Sequence, residues 1–204
     1  MFAMNNWKAP NGVPAPASPK RQLGLAEWGM ALRRRDILLA LAFAPLSGLS
    51  AEESPIDLAA IPVQSAAGEI LLSDLAGAAP AIVHFWATWC APCRAELPEL
   101  EAFAARLDAL GLRDRLIVVS VDRFDFSRVA DFLRADLGLR LETVQDANGA
   151  VGPAFALFGY PSTVLLDAGH RVVARYPGAI AWTDPEMADR LIAHVQGAGT
   201  RLNQ

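Results

Sequence analysis

Residues 80–110 constrain the fold more than any other part of this 204-residue chain. Residues 80–86 are mostly β-branched and aromatic, which predicts a buried strand. Apolar residues then recur at the spacing of a helix until Gly111, whose type favours the end of a helix. The only two cysteines, Cys90 and Cys93, lie where this strand gives way to this helix.

The rest of the chain alternates predicted strands and helices. A parallel strand buried on both faces is predicted from the continuous apolar run 116–121. A hairpin over 57–72, with its turn at 66–68, precedes the cysteine segment. After the strand at 116–121 we predict a helix begun by Asp125 or Ser127, a weak strand at 141–144 and a short helix at 151–157. A hairpin formed by 163–167 and 171–176 and a last helix begun by a capping box over Thr183–Glu186 complete the domain. This order predicts an α/β fold, a mixed sheet with helices on both faces.

Charge is distributed unevenly along the chain. Residues 1–51 carry six basic and two acidic side chains, whereas residues 52–204 carry twelve basic and twenty acidic ones. The last lysine is Lys20, which excludes a P-loop or Schiff-base lysine from the acidic part. No basic face is available to neutralise phosphates, so we expect no nucleic-acid partner.

The amino-terminal part has the pattern of an export signal. Three arginines at 33–35 precede a mostly apolar core at 37–49, and small residues at 49–51 suit a cleavage site. We therefore predict a signal peptide over 30–51, of the twin-arginine type, and a working domain over 52–204. Residues 1–29 would be a disordered extension or lie upstream of a true start at Met30. The alternatives are an uncleaved signal that anchors the protein, or an apolar run that is an ordinary buried helix.

The spacing and position of the cysteines predict redox chemistry. Residues three apart on a helical turn can be bridged by a disulfide. At a helix amino terminus, free amides and the helix dipole stabilise a thiolate, so Cys90 should be an exposed nucleophile. Cys93, one turn further, should be the shielded resolving thiol. Pro92 suits the first turn, and Trp86 and Trp89 would form an apolar collar or, especially for Trp86, part of the core.

Two other interpretations of the cysteine pair are weaker. A structural zinc site needs four ligands, and the remaining candidates His84, His170 and His194 are not at ligand spacing from the cysteines. A purely structural disulfide across so small a loop would constrain the unfolded chain very little. We expect neither a metal nor a cofactor besides the redox-active disulfide.

Residues 83–98 (VHFWATWCAPCRAELP) resemble the active-site segment of the TlpA/ResA group of thioredoxin-fold reductases, and residues 159–163 (GYPST) resemble the second motif of that group. The resemblance covers residues 55–195 and implies a thioredoxin-like sheet with an amino-terminal hairpin and the insertion typical of the group. It also implies that Pro161 is a cis proline beside the disulfide. The backbone of Tyr160 would then pair with the substrate, beside Trp89 and Pro92.

Two ionisable residues near the cysteines, His84 and Glu96, each have two possible roles. His84 occupies the strand position where thioredoxins have a buried carboxylate that moves a proton to or from the second cysteine. A histidine there is either such a proton carrier or a core residue bonded to backbone. Glu96 lies one turn after Cys93 on the same helical face and matches the glutamate with which the group tunes its cysteines. The alternative for Glu96 is a solvated helix residue.

The resemblance implies an extracytoplasmic, periplasmic thiol–disulfide oxidoreductase, a monomer that reduces disulfides in partner proteins. Its thiols would be restored by a membrane electron donor. Substrates in the group include apocytochromes c and copper-site assembly proteins. Residues 177–182 (PGAIAW) look more like the TlpA branch, which favours copper-site maturation, and Ser162 stands where the apocytochrome branch tends to have glutamate.

Two other functions use the same fold. A peroxiredoxin-like peroxidase would require Thr-x-x-Cys, whereas Thr88 lies only two residues before Cys90. A copper-binding chaperone would need a further soft ligand, and the predicted exported domain has a single methionine, Met187.

Overall fold

The computed structural model describes residues 54–197, which form a seven-stranded mixed sheet. The predicted signal peptide and the extension before it lie outside the described residues. The strands are β1 (Pro62–Ser65), β2 (Gly68–Leu71), β3 (Ala81–Trp86), β4 (Leu116–Ser120), β5 (Val144–Gln145), β6 (Ser162–Leu166) and β7 (Val172–Pro177). Across the sheet their order is β2-β1-β5-β4-β3-β6-β7. The predicted mixed sheet is therefore confirmed.

Strand β3 is the organising element of the sheet. It pairs in parallel with β4, from Ile82 opposite Leu116 to Trp86 opposite Ser120, and antiparallel with β6 on its other edge. All six residues of β3 and all five of β4 are buried, as expected for strands covered on both faces. The carboxyl end of β3 leads directly into the cysteine segment, so the pairing and burial of β3 fix where that segment begins.

Helices cover both faces of the sheet. They are α1 (Leu72–Ala76), α2 (Ala91–Ala109), α3 (Phe126–Asp131), which continues as a π-helical turn over Phe132–Asp136, α4 (Val151–Ala154) and α5 (Pro185–Val195), with 3-10 turns at Leu58–Ala60 and Arg113–Arg115. One core contains side chains of α2, α3 and α5 against Ile82 and Trp86 of β3. The other contains side chains of α1 and α4 against Val83 and Phe85. Alternate residues of β3 thus anchor both cores.

The amino-terminal hairpin and the predicted insertion meet at one edge. Strands β1 and β2 pair antiparallel through four residue pairs, as the hairpin prediction required. Strand β5, which lies in the insertion between α3 and Pro161, joins β1 antiparallel through Gln64 and Gln145, and it joins β4 in parallel. The insertion therefore connects the hairpin to the central strands.

The start of α5 differs from the sequence prediction, whereas the start of α3 after Asp125 is confirmed but has no side-chain cap. The cap of α5 is Asp184, whose carboxylate accepts the Met187 N–H at 3.0 Å, and not Thr183. The Thr183 hydroxyl instead lies 3.3 Å from a carboxylate oxygen of Glu99. Asp125 precedes α3 but makes no side-chain capping bond. Short polar side chains that neighbour each other are equally good caps by type, so backbone geometry decides between them.

Within residues 54–197, no helix combines the length and apolar character needed to cross a bilayer.

The cap of α5 gives a test of this assignment. Asp184→Ala removes the acceptor for the Met187 N–H and should lower the free energy of unfolding by about 1 kcal/mol. For a domain of this size the melting temperature should fall by about 2–4 °C. Thr183→Ala is the matched control and should change stability by less than about 0.5 kcal/mol, because Thr183 is exposed and does not cap. Equal losses in thermal melts of the two variants would contradict the assignment.

Candidate active site

The two cysteines form a disulfide at the start of α2. Their Cα atoms are 5.3 Å apart, and Cys90 is the residue that caps the helix. Its sulfur lies 3.3 Å from the backbone nitrogen of Cys93, whose N–H points toward it. Pro92 occupies the first turn, where the missing N–H leaves no bond unmade. The sulfur of Cys90 therefore sits in the positive field of a helix amino terminus, as the sequence predicted.

The burial of the two sulfurs differs from the prediction in degree. Cys93 is fully buried, as expected for a resolving thiol, but Cys90 is only 5% exposed in the disulfide form. The prediction of a well-exposed Cys90 is therefore wrong for this state. The order of accessibility still favours Cys90 as the sulfur that a partner reaches first.

The two tryptophans of the predicted collar have different environments. Trp86 is fully buried, and its indole N–H donates to the Thr143 hydroxyl at 3.1 Å. Trp89 is 64% exposed and contacts the ring of Tyr160 edge-on, with centroids 6.0 Å apart. Trp86 is thus a core residue, whereas Trp89 lies on the surface beside the disulfide.

The loop before β6 lies next to this surface. The Tyr160–Pro161 peptide bond is cis, and the carbonyl of Pro161 accepts the N–H of Gly178 at 2.9 Å. Phe158 in the same loop is fully exposed. Through the contact of Tyr160 with Trp89, the structure brings together the residues of both predicted motifs.

A cluster of buried polar side chains lies between β3 and α2, one helical turn beyond Cys93. Nδ1 of His84 lies 3.0 Å from the Thr163 hydroxyl, and Nε2 lies 3.4 Å from Oε1 of Glu96. The other oxygen of Glu96 accepts the N–H of Ile180 at 3.1 Å and the indole N–H of Trp182 at 3.0 Å. Glu96 is 5% exposed, so it is not the solvated helix residue of the alternative interpretation. His84 is fully buried, and its ring nitrogens face the side chains of Thr163 and Glu96 rather than the backbone.

One proton must lie between His84 and Glu96. Nε2 of His84 and Oε1 of Glu96 are both buried, and no hydrogen bond satisfies either atom among the described residues. A neutral imidazole nitrogen and a carboxylate oxygen would both be acceptors and would repel each other. Burial lowers the pKa of His84 to about 3 and raises the pKa of Glu96. The favoured arrangement is a protonated Glu96 that donates to Nε2, with Nδ1–H donating to Thr163.

Trp182 is a site residue that the sequence analysis did not single out. It is fully buried, packs edge-on against His84 with ring centroids 5.2 Å apart, and also contacts Phe103. Its indole N–H holds Glu96 in place. Because Trp182 follows Glu96 by 86 residues, spacing along the chain gives no sign of this contact.

Asp122 is a second residue that sequence reasoning missed. It lies two residues after the end of the buried strand β4, and its carboxylate accepts the N–H of Thr88 at 2.9 Å and the Thr88 hydroxyl at 2.8 Å. Its position at the carboxyl end of a parallel strand was the available signal, because functional side chains of α/β folds collect at that edge.

The disulfide, the adjacent cis-proline loop and the buried proton pair define a dithiol–disulfide site on an α/β sheet. Among residues 54–197, no group of three or more His, Cys, Asp or Glu is placed to hold a metal ion. The model of the AhpC/TSA family matches residues 56–175, more than half of the chain, so the chain belongs to that family.

Two similar proteins indicate which class of protein within the family this chain resembles. The chain is 27% identical over 179 residues to the "Thiol:disulfide interchange protein DsbE homolog" of Paracoccus denitrificans, covering 83% of this chain and 89% of the relative. It is 29% identical over 111 residues to the "Thiol-disulfide oxidoreductase ResA" of Oceanobacillus iheyensis, covering 54% of this chain and 55% of the relative. These relatives confirm the resemblance to the TlpA/ResA group and the predicted class, thiol–disulfide oxidoreductases.

A solved structure supports the fold. The exposed lipoprotein thioredoxin Etrx1 of Streptococcus pneumoniae superimposes with a TM-score of 0.51 at 20% identity, over 67% of this chain and 98% of that one. At this identity the likeness concerns the fold alone, and it confirms the thioredoxin-like architecture.

The shared proton predicts opposite pH responses for two variants. Between about pH 5 and pH 6 the folded pair holds one proton, and the unfolded chain also holds one, on a histidine of ordinary pKa 6.5. Stability rises with pH wherever the unfolded state binds more protons. In Glu96→Gln only His84 remains, neutral when folded, so stability should rise by about 1 kcal/mol per pH unit relative to wild type.

The partner variant should show the reverse. In His84→Leu the buried Glu96, with its raised pKa, keeps a proton that the unfolded chain releases above the ordinary pKa of 4.5. Stability should then fall as pH rises, again relative to wild type. Denaturant titrations of the oxidised proteins at several pH values measure both slopes. Slopes of the same sign would show that the two groups do not share a proton.

Proposed function

We propose that this protein is a thiol–disulfide oxidoreductase that reduces disulfides in partner proteins outside the cytoplasm. The observation that supports this most directly is the Cys90–Cys93 disulfide at the amino terminus of α2. That position stabilises a thiolate, and the fully buried second sulfur is reachable only from within the protein. The relatives named as thiol:disulfide interchange proteins agree with this function.

The reaction is a two-electron exchange of disulfides. The thiolate of Cys90 attacks one sulfur of the partner's disulfide, forms a mixed disulfide and releases the partner's other sulfur as a thiolate, which takes up a proton. Cys93 then loses its proton and attacks the sulfur of Cys90. The partner leaves with both cysteines reduced, and Cys90–Cys93 is the oxidised product described here.

The buried pair provides a base for the second step. Glu96 lies three residues after Cys93 on α2, hence on the same helical face, and Trp182 and Cys93 belong to one core. Because burial raises the pKa of Glu96, its carboxylate is a stronger base than a solvated one. We propose that Glu96 is a carboxylate in the reduced protein and accepts the proton of Cys93 as that sulfur attacks. The protonated His84–Glu96 pair of the disulfide form is then the product of this transfer, and it returns the proton when the disulfide is reduced again.

The export pattern of residues 30–51 supports work in the periplasm, where a reductase needs a supply of electrons. We propose a membrane thiol donor as that source, and copper-site assembly proteins or apocytochromes c as the substrates. Trp89 and Phe158 are exposed and Tyr160 is partly exposed, so these side chains form the surface beside the disulfide on which such a partner would bind. Pro161 itself is buried. We propose that the protein acts as a monomer without a metal or other cofactor.

The geometry does not favour a peroxidase. A peroxidase would need the threonine hydroxyl at the reacting sulfur, whereas the Thr88 hydroxyl donates to Asp122. A copper chaperone would need a further soft ligand beside the thiols, and Met187, in the first turn of α5, is the one methionine among residues 54–197. Titration of the reduced protein with copper distinguishes binding from redox exchange.

Trapping of the mixed disulfide tests the mechanism. Cys93→Ser removes the resolving thiol, so the full chain should accumulate mixed disulfides with its partners after acid quenching. Cys90→Ser is the control and should accumulate none. Non-reducing gels and mass spectrometry measure the products. Recovery of no adduct from Cys93→Ser would refute the proposed exchange.

The same gels test the proton pair. His84→Leu keeps both cysteines but lacks half of the base, so resolution should slow by about a hundredfold and the adduct should be visible transiently. Resolution at the wild-type rate would remove His84 from the mechanism.

The reduction potential decides the direction of exchange. A reductase should equilibrate near the value typical of thioredoxin, about −270 mV, whereas an oxidase would lie near about −120 mV. Equilibration of the purified protein with glutathione or dithiothreitol redox buffers, followed by thiol trapping, measures this value. A potential near the oxidase value would reverse the proposed direction.

A further inference from the structure

The cysteine segment is tied to the neighbouring strand just before the disulfide. The N–H of Val121 donates to the carbonyl of Trp86 at 2.9 Å and extends the backbone pairing of β3 and β4. One residue further, the two segments are joined by the side chain of Asp122, whose two oxygens accept the N–H and the hydroxyl of Thr88. Thr88 therefore has both of its donors bound to a single carboxylate.

Asp122 is itself held in a fixed orientation. It is 1% exposed, and its Oδ2 also accepts the hydroxyl of Ser120 at 2.8 Å. Its backbone carbonyl accepts the side-chain amide of Gln145 at 2.8 Å. Strands β4 and β5 thus both position this carboxylate. A carboxylate acceptor makes stronger hydrogen bonds than a neutral acceptor does.

The anchored residue lies two positions before the reactive sulfur. The N–H of Cys90 donates to the carbonyl of Ala87 at 3.1 Å, so residues 87–90 form a closed turn around Thr88. At the end of that turn, the sulfur of Cys90 meets the N–H of Cys93. Any rotation of the turn would move the sulfur away from the helix terminus, where its negative charge is stabilised.

We propose that Asp122 is a positioning residue for Cys90. Through Thr88 it fixes the turn that keeps the Cys90 sulfur at the amino terminus of α2, and thereby sustains the reactivity of the thiolate. This inference deepens the proposed function and rests on it. It assigns to Asp122 and Thr88 an effect on the chemistry of a sulfur that neither of them contacts.

The test compares two substitutions at Thr88. Thr88→Val removes the hydroxyl but keeps the shape of the side chain, whereas Thr88→Ser keeps the hydroxyl. Both are made in the full chain with Cys93→Ser, so Cys90 is the only thiol. The rate of alkylation by iodoacetamide is then followed against pH, since this rate reports the thiolate fraction. This reaction needs no partner protein.

We expect the pH midpoint of alkylation to move up by about one unit in Thr88→Val, with an about tenfold slower reaction at neutral pH. Thr88→Ser should retain the profile of the Cys93→Ser parent. Thr143→Val is the matched control for stability, because it removes a partly buried hydroxyl bonded to Trp86 and Val118 and not to the cysteine turn. It should lower the melting temperature without moving the midpoint.

Two results would overturn the inference. One is a profile for Thr88→Val that coincides with that of Thr143→Val, which would make the bond to Asp122 purely structural. The other is an equal shift in Thr88→Ser, which would exclude the hydroxyl as the anchor. Failure of the proposed function appears elsewhere, as an absence of partner adducts in the trapping experiment, and it leaves the alkylation profiles unchanged.

Discussion

The structure depends on the burial of β3 from every direction. The strand has hydrogen-bonded neighbours on both edges and apolar cores on both faces, so it cannot shift without breaking all four contacts. The cysteine segment begins where this strand ends, and His84 lies in its middle. Both the reactive sulfurs and the proton pair therefore take their positions from one strand whose register is fixed by packing.

The site combines groups from distant parts of the chain. Asp122 reaches the cysteine turn from the end of β4, Thr163 reaches His84 from β6, and Trp182 reaches Glu96 from the segment before α5. The bonds to His84 and to Glu96 are buried and the bond to Thr88 is partly buried, and polar groups removed from water are costly to leave without a partner. The polar groups around the disulfide thus help to hold together the elements that meet there.

Local chemistry explains how much the sequence could predict. The cysteine spacing, the apolar run of β3 and the helical period of α2 are local patterns, and β3 and α2 were found at their expected places. The weak strand predicted at 141–144 is instead the two-residue β5, and the short helix predicted at 151–157 ends at Ala154. Glu96 and His84 could be named as candidates because their positions relative to the cysteines are also local. Their contact with each other could not be derived, because it requires the pairing of α2 with β3 in three dimensions.

The residues and contacts that the sequence did not predict also depend on the three-dimensional arrangement of distant segments. Trp182 and Asp122 act on groups that are 86 and 34 residues away, so no spacing rule links them to the site. The choice of Asp184 over Thr183 as a cap depends on backbone angles that two adjacent polar residues do not reveal. Even the burial of Cys90 depends on how the turn over residues 87–90 packs.

The disulfide links residues separated by only three positions, so the closed loop is very small. A cross-link restricts an unfolded chain less when the loop it closes is smaller, so this disulfide contributes little to stability. The fold is supported mainly by its two cores. Such a protein can accept and release an electron pair at its disulfide many times, because its architecture does not rest on the bond that forms and breaks.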